Sequence, residues 1–377
     1  MHISLSLVGA LLLAQAYAQG CPAVRPVTTV ITVSALPSST PSVDTAAPTS
    51  TSIARTYPAD VVDQLRDSSI TKLASYLKQN PASNGCTLET ASIRKEWTDL
   101  SVAQREEYIA AVKCLQSAPS KSSATEIPGA RSRFDDFVAV HIQQTDSIHN
   151  TANFLSWHRY FVFTYEKALR EECGYTGYHP YWNWDRYASD PASSPLFNGN
   201  ASSLSGNSVN GGCVTTGPFA NFQVNLGPGK SLTYNPRCMT RAISKSYAAT
   251  TTADKTYSLI TGSSSIGSFQ NTLQAVPGVH SGGHFTIGGT PGGDIYASPG
   301  DPAFYLHHAM VDRVWWIWQM QDLATRLTAV AGSVAGSSRQ GSASDTVALG
   351  VNAGSVTISE LLNTLGGLDG EFCYIYV

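Results

Sequence analysis

Several long segments of the chain space their apolar residues three or four positions apart, with polar residues between them. This period is typical of amphipathic helices. Ser101 is a suitable N-cap for the second of these segments, and Asn80-Pro81 ends the first. The pattern therefore predicts a mainly α protein. The predicted helices cover residues 60–79, 101–116, 131–143, 158–173 and 302–325.

Between and after these segments the chain is rich in loop-forming residues. Residues 186–235 are mostly Gly, Ser, Asn and Pro, which predicts a long irregular excursion. Residues 329–357 are again rich in Gly and Ser, with short Val-containing strands. We find no internal repeat of fixed period. The pattern thus predicts one domain over residues 60–377, with extensive loops and a few short strands.

The N-terminal region differs from the rest. Residues 3–13 are apolar and are followed by Ala16-Tyr17-Ala18, which is typical of a cleaved signal peptide over residues 1–18. A buried helix is the alternative. Residues 19–59 are rich in Ser, Thr and Pro and are predicted to be a flexible arm or propeptide. We therefore expect a secreted, extracellular protein.

The composition narrows the range of partners. The chain of 377 residues is 42% hydrophobic and 14% charged, and its net charge is −3. Without a basic excess it cannot neutralise many phosphates, so we expect no nucleic-acid partner. Beyond the N-terminal segment, no apolar run approaches the ~20 residues of a membrane helix, so we expect no membrane partner.

Secretion makes disulfides the expected state of the cysteines. There are seven, so at least one lacks an intramolecular partner, and the absence of CxxC argues against a thiolate zinc site. On proximity in sequence alone, we expect Cys86 to pair with Cys114 and Cys213 with Cys238. Asn200-Ala201-Ser202 is a sequon for N-glycosylation.

The histidines form two groups that suggest a metal centre. His280 and His284 are four positions apart, so on a helix they face the same side and can bind one metal ion. Ser281 stands where the zinc-protease motif HExxH has its general base. Either His307 or His308 is a candidate third ligand. The other group comprises His141, His149 and His158.

Two histidine triads on facing helices indicate a binuclear site. Imidazole-only ligands suit copper, zinc, iron or nickel, and copper is attractive because a Cu(I) pair can bind dioxygen. Asp312 lies four residues after His308 and is expected to accept a ring N–H from a ligand, which would fix the ring orientation. His179 stands alone in its motif, so we expect it to be structural.

Two long segments carry a family resemblance. Residues 149–161 (HNTANFLSWHRYF) and 301–315 (DPAFYLHHAMVDRVW) resemble the tyrosinase, catechol oxidase and mollusc haemocyanin family. Residues 181–185 (YWNWD) and 374–376 (YIY) resemble further signatures of that family, and the likeness extends over about 86–377.

The resemblance implies a four-helix bundle core that holds a binuclear copper site, with two copper ions as cofactors. It selects His308 over His307, and it places Phe304 close to the copper pair. Because the chain stops just after Tyr376, it resembles short fungal members without a C-terminal lid domain. The ligand set that the resemblance implies is His141, His149 and His158 for one copper and His280, His284 and His308 for the other.

Departures from the family pattern bear on the substrate. Ser147 replaces the cysteine that forms a thioether with histidine in many fungal relatives. Ser281 and Gln274 stand where many tyrosinases have the Asn and Glu thought to hold a water that deprotonates monophenols, and an amide cannot serve as that base. Ile295 maps to the position that overhangs the coppers, and Phe285 is expected at the entrance.

These observations predict a catechol oxidase, an o-diphenol:oxygen oxidoreductase that forms o-quinones, reduces O₂ to water and has weak or no monophenol hydroxylation. Its partners are dioxygen and small phenolic substrates; the oligomeric state is left open. An o-aminophenol oxidase or a true tyrosinase would use the same site. Alternatives of other classes are a haemocyanin-like oxygen-binding protein, a mononuclear zinc hydrolase and a Ser-His-Asp hydrolase, the last disfavoured because the chain has no G-x-S-x-G elbow.

Overall fold

The computed structural model describes residues 57–377, and the fold is mainly helical. The predicted leader and most of the predicted arm lie outside these residues. The helices are α1 Val61–Gln79, α2 Val102–Ser117, α3 Arg133–Ile148, α4 Phe154–Cys173, α5 Trp184–Tyr187, α6 Lys245–Ala248, α7 Ala253–Gly262, α8 Ile266–Leu273, α9 Val279–Ile287, α10 Ala303–Gln321 and α11 Leu323–Arg326. The strands are β1 Ser92–Arg94, β2 Gln223–Val224, β3 Arg237–Cys238, β4 Thr346–Val347, β5 Val356–Thr357 and β6 Tyr374–Tyr376.

The long helices follow the apolar pattern. α1, α2, α3, α4 and α10 each overlap a segment that the sequence predicts to be helical. Ser101 is the N-cap of α2, as expected, and forms a capping box with Gln104. α4 begins at Phe154, ahead of the predicted start at residue 158. α10 is buried on all sides, which is typical of a helix at the centre of a core.

The sequence analysis did not predict α7 and α8, nor the single-turn helices α5 and α6. α7 and α8 are short and rich in Ser, Thr and Gly, which are modest or poor helix formers. Helices of this length gain most of their stability from tertiary packing, which here buries Leu259 and Ile260 of α7 and Phe269 and Leu273 of α8.

The strands are short and join distant parts of the chain. β1 pairs in parallel with β6, and Ile93 lies opposite Ile375. β2 pairs with β3 and β4 with β5, both antiparallel. The last two lie within the segment predicted to contain short strands. The β1–β6 pair places the end of the chain beside its first described strand.

The disulfides correct one of the two expected pairings. Cys213 pairs with Cys238, as expected, but Cys86 pairs with Cys373 rather than with Cys114. Cys114 bonds instead to Cys173, and this disulfide links α2 to the end of α4. Proximity in sequence misled the prediction because the β1–β6 pairing brings Cys86 and Cys373 together across 287 positions.

Two further expectations concern the surface. Asn200 and Ala201 of the sequon are exposed in a turn, so the site is accessible. In residues 57–377, no helix combines the length and the apolar character that crossing a membrane requires.

Candidate metal centre

The first histidine triad is assembled from two helices and the turn between them. His141 lies on α3, His149 directly follows the end of α3, and His158 lies on α4. One ring nitrogen from each falls within a group of atoms that are all within 4.8 Å of one another. The rings of His141 and His158 are buried.

Backbone carbonyls orient all three rings through Nδ1. The Nδ1 of His141 lies 2.8 Å from the carbonyl oxygen of Tyr296, that of His149 lies 2.9 Å from the oxygen of Thr145, and that of His158 lies 2.8 Å from the oxygen of Phe154. A carbonyl can only accept, so each Nδ1 carries the proton and each Nε2 presents a lone pair. This pattern is typical of metal-binding histidines.

The Nε2 atoms of this triad fit a metal ion. Those of His141 and His158 are buried and have no hydrogen-bond partner in the structure. Buried polar atoms are rarely left unpaired, so an unpaired set that converges on one point requires an explanation. A metal cation bound by the lone pairs supplies it.

The second triad lies on α9 and α10. His280 and His284 face the same side of α9, as their spacing predicted. The Nε2 of His284 lies 3.2 Å from the Nε2 of His280 and 3.2 Å from the Nε2 of His308. Three ring nitrogens in such close contact cannot all be paired by hydrogen bonds with one another, whereas a cation among them satisfies all three.

Electrostatics keep these imidazoles neutral, the form that binds metal. Burial lowers the pKa of all six histidines, and for all except His149 the neighbouring histidines lower it further. The pKa of His284 is lowered to about 3. The site is therefore ready to bind metal across the neutral and mildly acidic range.

The two triads form one centre. The ring of His158 stacks on that of His308 with 4.4 Å between centroids, and the rings of His149 and His280 are 6.1 Å apart. Phe304 is buried beside both triads, with its ring 4.2 Å from that of His308 and 5.3 Å from that of His141. The arrangement fits a pair of metal ions next to an apolar ring.

His307 belongs to the same cluster, since ring nitrogens of His280, His284, His307 and His308 all lie within 4.8 Å of one another. Its ring is 4.4 Å from that of His284 and 5.1 Å from that of Trp184. It also packs directly on Gly283 of α9, so closely that a Cβ at this position would overlap the imidazole. Sequence analysis did not single out Gly283. The two adjacent glycines between His280 and His284 were the available sign that another group packs closely against this helix.

The expected contact between Asp312 and a histidine ring is wrong. The Oδ1 of Asp312 accepts a 2.6 Å hydrogen bond from Arg159 Nε, and its Oδ2 accepts from the hydroxyls of Tyr374 and Tyr376 at 2.9 and 2.6 Å. The Nδ1 of His308 has no hydrogen-bond partner in the structure. A guanidinium competes better for a buried carboxylate than a neutral imidazole does, because the bond is charge-assisted.

Gln274 and Ser281 lie close to the histidines, but the backbone engages both side chains. Gln274 Oε1 accepts a 2.7 Å hydrogen bond from the N–H of Asn150, the residue after His149. The hydroxyl of Ser281 donates to the carbonyl of Ala275 at 2.8 Å and accepts from the N–H of Gly278 at 3.1 Å. Both residues therefore support the segments that carry ligands.

The remaining predicted residues differ in exposure. Ile295 is 57% exposed and precedes Tyr296, whose carbonyl orients His141. Phe285 is partly buried, with its ring 5.0 Å from that of Tyr247. The hydroxyl of Ser147 donates to the carbonyl of Gln144 at 2.8 Å, and a serine cannot form a thioether.

The sequence analysis missed the carbonyl of Tyr296, because every residue carries a carbonyl and no side chain marks this one.

His179 is outside both histidine clusters of the described residues. It is fully buried, and its ring contacts those of Tyr108 and Tyr165.

Comparison with known proteins agrees with this geometry. A family model described as the common central domain of tyrosinase matches residues 131–321, which include all six histidines. The tyrosinase-like protein orsC of Emericella nidulans is 38% identical over 301 residues, covering 67% of this chain and 81% of that protein. The N-acetyl-6-hydroxytryptophan oxidase ivoB of the same organism is 35% identical over 347 residues, covering 77% and 93%.

A solved structure extends the likeness to the fold. A mutant polyphenol oxidase from Thermothelomyces thermophila superposes with a TM-score of 0.77 at 39% identity, covering 84% of this chain and 97% of that one. The similarity between the two structures covers the helical core as well as the histidine site. The tyrosinase family implies a binuclear copper centre. The chain therefore belongs to the tyrosinase family of type-3 copper oxidoreductases.

Proposed function

We propose that this protein is a catechol oxidase, which oxidises o-diphenols to o-quinones and reduces dioxygen to water. The observation that carries the proposal is the convergence of two neutral histidine triads into one centre in a member of this family. One copper ion would be held by His141, His149 and His158 and the other by His280, His284 and His308. When bound, the copper pair would supply dioxygen binding and two-electron redox chemistry.

The protein's own contribution is to fix the ligands in place and to keep the site dry. In the first triad, the backbone carbonyls hold each Nδ1–H, so the rings keep both their tautomer and their angle. Phe304 fills the space beside both triads with an apolar ring, which excludes water from that side. Fixed ligands and a dry interior need little reorganisation during reaction.

The preference for diphenols follows from the groups that would accept a phenolic proton. An o-diphenol is more easily deprotonated at a metal pair than a monophenol that must also be hydroxylated. Gln274 has no ionisable carboxylate, and its amide oxygen already binds the N–H of Asn150. Ser281 is engaged with the backbone of its own helix end. Neither residue is free to hold a water that acts as a base.

Oxygen uptake by the copper-loaded protein tests this function, with catechol, tyrosine and 2-aminophenol compared at equal concentration. We expect fast uptake with catechol and little with tyrosine. Prompt uptake with tyrosine would make the protein a tyrosinase, and preferential uptake with 2-aminophenol would make it an o-aminophenol oxidase. Reversible oxygen binding without turnover of any of the three would favour a haemocyanin-like carrier.

We also propose that the protein is secreted and glycosylated at Asn200. Three disulfides lie within residues 57–377, and disulfides persist in oxidising compartments. The sequon is exposed. N-terminal sequencing of protein from the culture medium is expected to show cleavage after Ala18. Enzymatic deglycosylation is expected to reduce the mass of the wild-type protein and to leave an Asn200→Gln variant unchanged.

A further inference from the structure

A group of buried tyrosines extends from the metal centre, and the proposed reaction does not use it. We call it the tyrosine column. Its ends are Tyr305, next to Phe304, and Tyr175, which borders a surface cavity of about 680 Å³. The column consists of Tyr305, Tyr165, Tyr108 and Tyr175, with His179 beside its middle.

The column begins at both triads. Phe304 contacts His308, and its ring is 5.3 Å from that of Tyr305. Phe161 lies 6.3 Å from the ring of His141 and stacks on Tyr305 at 5.9 Å. Tyr305 is therefore one aromatic ring away from a ligand of each triad, and it is the first phenol along both routes.

The contacts continue outward without a gap. Tyr305 stacks on Tyr165 with 3.5 Å between centroids and 7° between planes. His179 bridges Tyr165 and Tyr108, with ring distances of 5.9 and 5.6 Å. Tyr108 lies 5.6 Å from Tyr175, whose hydroxyl donates to the carbonyl of Tyr178.

Two features of the column are unfavourable if the tyrosines serve only to fill the protein core. Aromatic pairs prefer offset or edge-to-face contacts to a face-to-face sandwich, yet Tyr165 and Tyr305 form such a sandwich. The hydroxyl of Tyr305 is fully buried and has no hydrogen-bond partner in the structure, and the buried hydroxyls of Tyr108 and Tyr165 have no partner other than each other. Buried unpaired polar groups are rare, and a redox role is one of the recognised reasons for them. Phenylalanine would fill the same space without the unpaired hydroxyl.

Both features suit one-electron oxidation. A sandwich of two phenols shares the positive charge left when one electron is removed, which makes the pair easier to oxidise than a single ring. The hydroxyls of Tyr108, Tyr165 and Tyr305 are protonated, because burial raises the pKa of all three well above its ordinary value. Oxidation must therefore release a proton, and a base has to lie close by.

His179 is the candidate base, because it is the imidazole whose ring contacts those of the column. Burial, and to a smaller extent Arg94, lower its pKa to about 3, so the imidazole is neutral and keeps one nitrogen lone pair. Its ring contacts both Tyr165 and Tyr108. An oxidised phenol is far more acidic than a neutral one, so a weakly basic imidazole suffices to take its proton.

We propose that the tyrosine column carries stray oxidising equivalents from the metal centre to the surface and so protects the histidine ligands from oxidation. This inference rests on the proposed oxidase function, which supplies the oxidant. One electron passes from Tyr165 through Tyr305 to the oxidant, the O–H bond of Tyr165 breaks and its proton moves to His179. Tyr108 then reduces the Tyr165 radical, which takes the proton back from His179, and the proton of Tyr108 moves to His179 in turn. Tyr175 reduces the Tyr108 radical, which recovers its proton from His179, and Tyr175 releases its own proton to water in the surface cavity. There a diphenol in the surface cavity returns one electron and one proton, which restores the phenol.

The test is a Tyr108→Phe/Tyr165→Phe double variant, with Tyr257→Phe as the control because Tyr257 is exposed and outside the column. Both substitutions keep the ring, and together they remove two hydroxyls that have no partner other than each other, so we expect the variant to fold and bind two copper ions. The copper-loaded proteins are treated with hydrogen peroxide, frozen rapidly and examined by electron paramagnetic resonance for a tyrosyl radical. Zinc-loaded protein provides the background.

We expect the radical signal in wild-type protein and in the control, and its loss in the double variant. The double variant should start at the wild-type rate with catechol but complete several-fold fewer turnovers before inactivation. Peptide mass spectrometry should then find oxidised copper-ligand histidines in it. Equal radical yield and equal total turnovers in wild-type and variant would overturn the proposal. Because peroxide supplies the oxidant directly, the radical measurement remains decisive even if catechol is not a substrate.

Discussion

Arg159 donates a 2.6 Å hydrogen bond from Nε to Oδ1 of Asp312, and this buried pair joins the two helices that carry His158 and His308. Arg159 directly follows His158, and Asp312 is one helical turn beyond His308. Since the rings of these two histidines stack across the triads, the ion pair fixes the distance between the halves of the metal centre. Asp312 thus acts on the ligands through the helices rather than by touching a ring.

Replacing Asp312 by Asn is expected to destabilise the protein strongly. The change leaves Arg159 buried without its counter-ion, and breaking a buried pair in this way costs ~3–5 kcal/mol. We expect denaturant unfolding to show a loss of that order, together with weaker binding of both copper ions. The matched control is Asp345→Asn, which breaks the more exposed pair with Arg339 and should cost less than ~1 kcal/mol. Similar losses in the two variants would contradict this assignment.

The neighbouring histidines 307 and 308 offer a direct test of the ligand set. His308→Gln removes an Nε2 that faces those of the second triad, so we expect one copper per chain and no oxygen uptake with catechol. His307→Gln should retain two copper ions, because His307 is not among the six ligands that we propose and its ring packs on Gly283 and Trp184. Metal analysis of the purified variants gives the number of copper ions per chain in each. A loss of copper in His307→Gln alone would make His307 the ligand.

Gly283 is expected to be intolerant of even a methyl group. In Gly283→Ala the new Cβ would overlap the imidazole of His307, so α9 must shift relative to α10. We expect a loss of about 1–3 kcal/mol in unfolding free energy, typical of overpacking, and weaker binding of the second copper. Gly262→Ala in α7 is the control, because nothing lies within 4 Å of its added Cβ. Copper affinity measured by competition with a chelator distinguishes the two variants.

The dependence of stability on pH should report the buried neutral histidine His179. Its pKa is about 3 in the folded protein, below the ordinary value of about 6.5, so between these limits the unfolded chain binds one more proton. Stability is therefore fully present above pH ~6.5 and falls as the pH decreases toward 3. In His179→Phe, we expect the slope of unfolding free energy against pH to decrease by ~1.4 kcal/mol per unit in this window. An unchanged slope would show that His179 is not neutral in the folded state.

Monophenol oxidation should be gained by restoring the missing base. A Gln274→Glu/Ser281→Asn double variant introduces a carboxylate and an amide at the two positions that differ from many tyrosinases. We expect its oxygen uptake with tyrosine to rise relative to catechol. Gln274→Met with Ser281→Asn supplies the amide without the carboxylate and is the control. If the carboxylate variant gains nothing over this control, then another feature of the site sets the preference for diphenols.

Much of the fold and of the site could be predicted from the chain alone. Helical spacing of apolar residues identified the long helices, because a helix buries a continuous stripe whatever it packs against. The spacing of His280 and His284 placed both rings on one side of α9 for the same local reason. The motifs around His158 and His308 carried the family resemblance, which the comparisons confirm.

What the sequence could not decide depends on groups that are far apart in the chain. The partner of Cys86 is Cys373, the partners of Asp312 are Arg159, Tyr374 and Tyr376, and the group that orients His141 is a backbone carbonyl. None of these pairings follows from local spacing, because each arises only when separate helices and strands pack together. The sequence by itself determined which residues form helices and which histidines are grouped. Only the tertiary structure decided how the two triads meet, because their separation is set by buried contacts between α3, α4, α9 and α10.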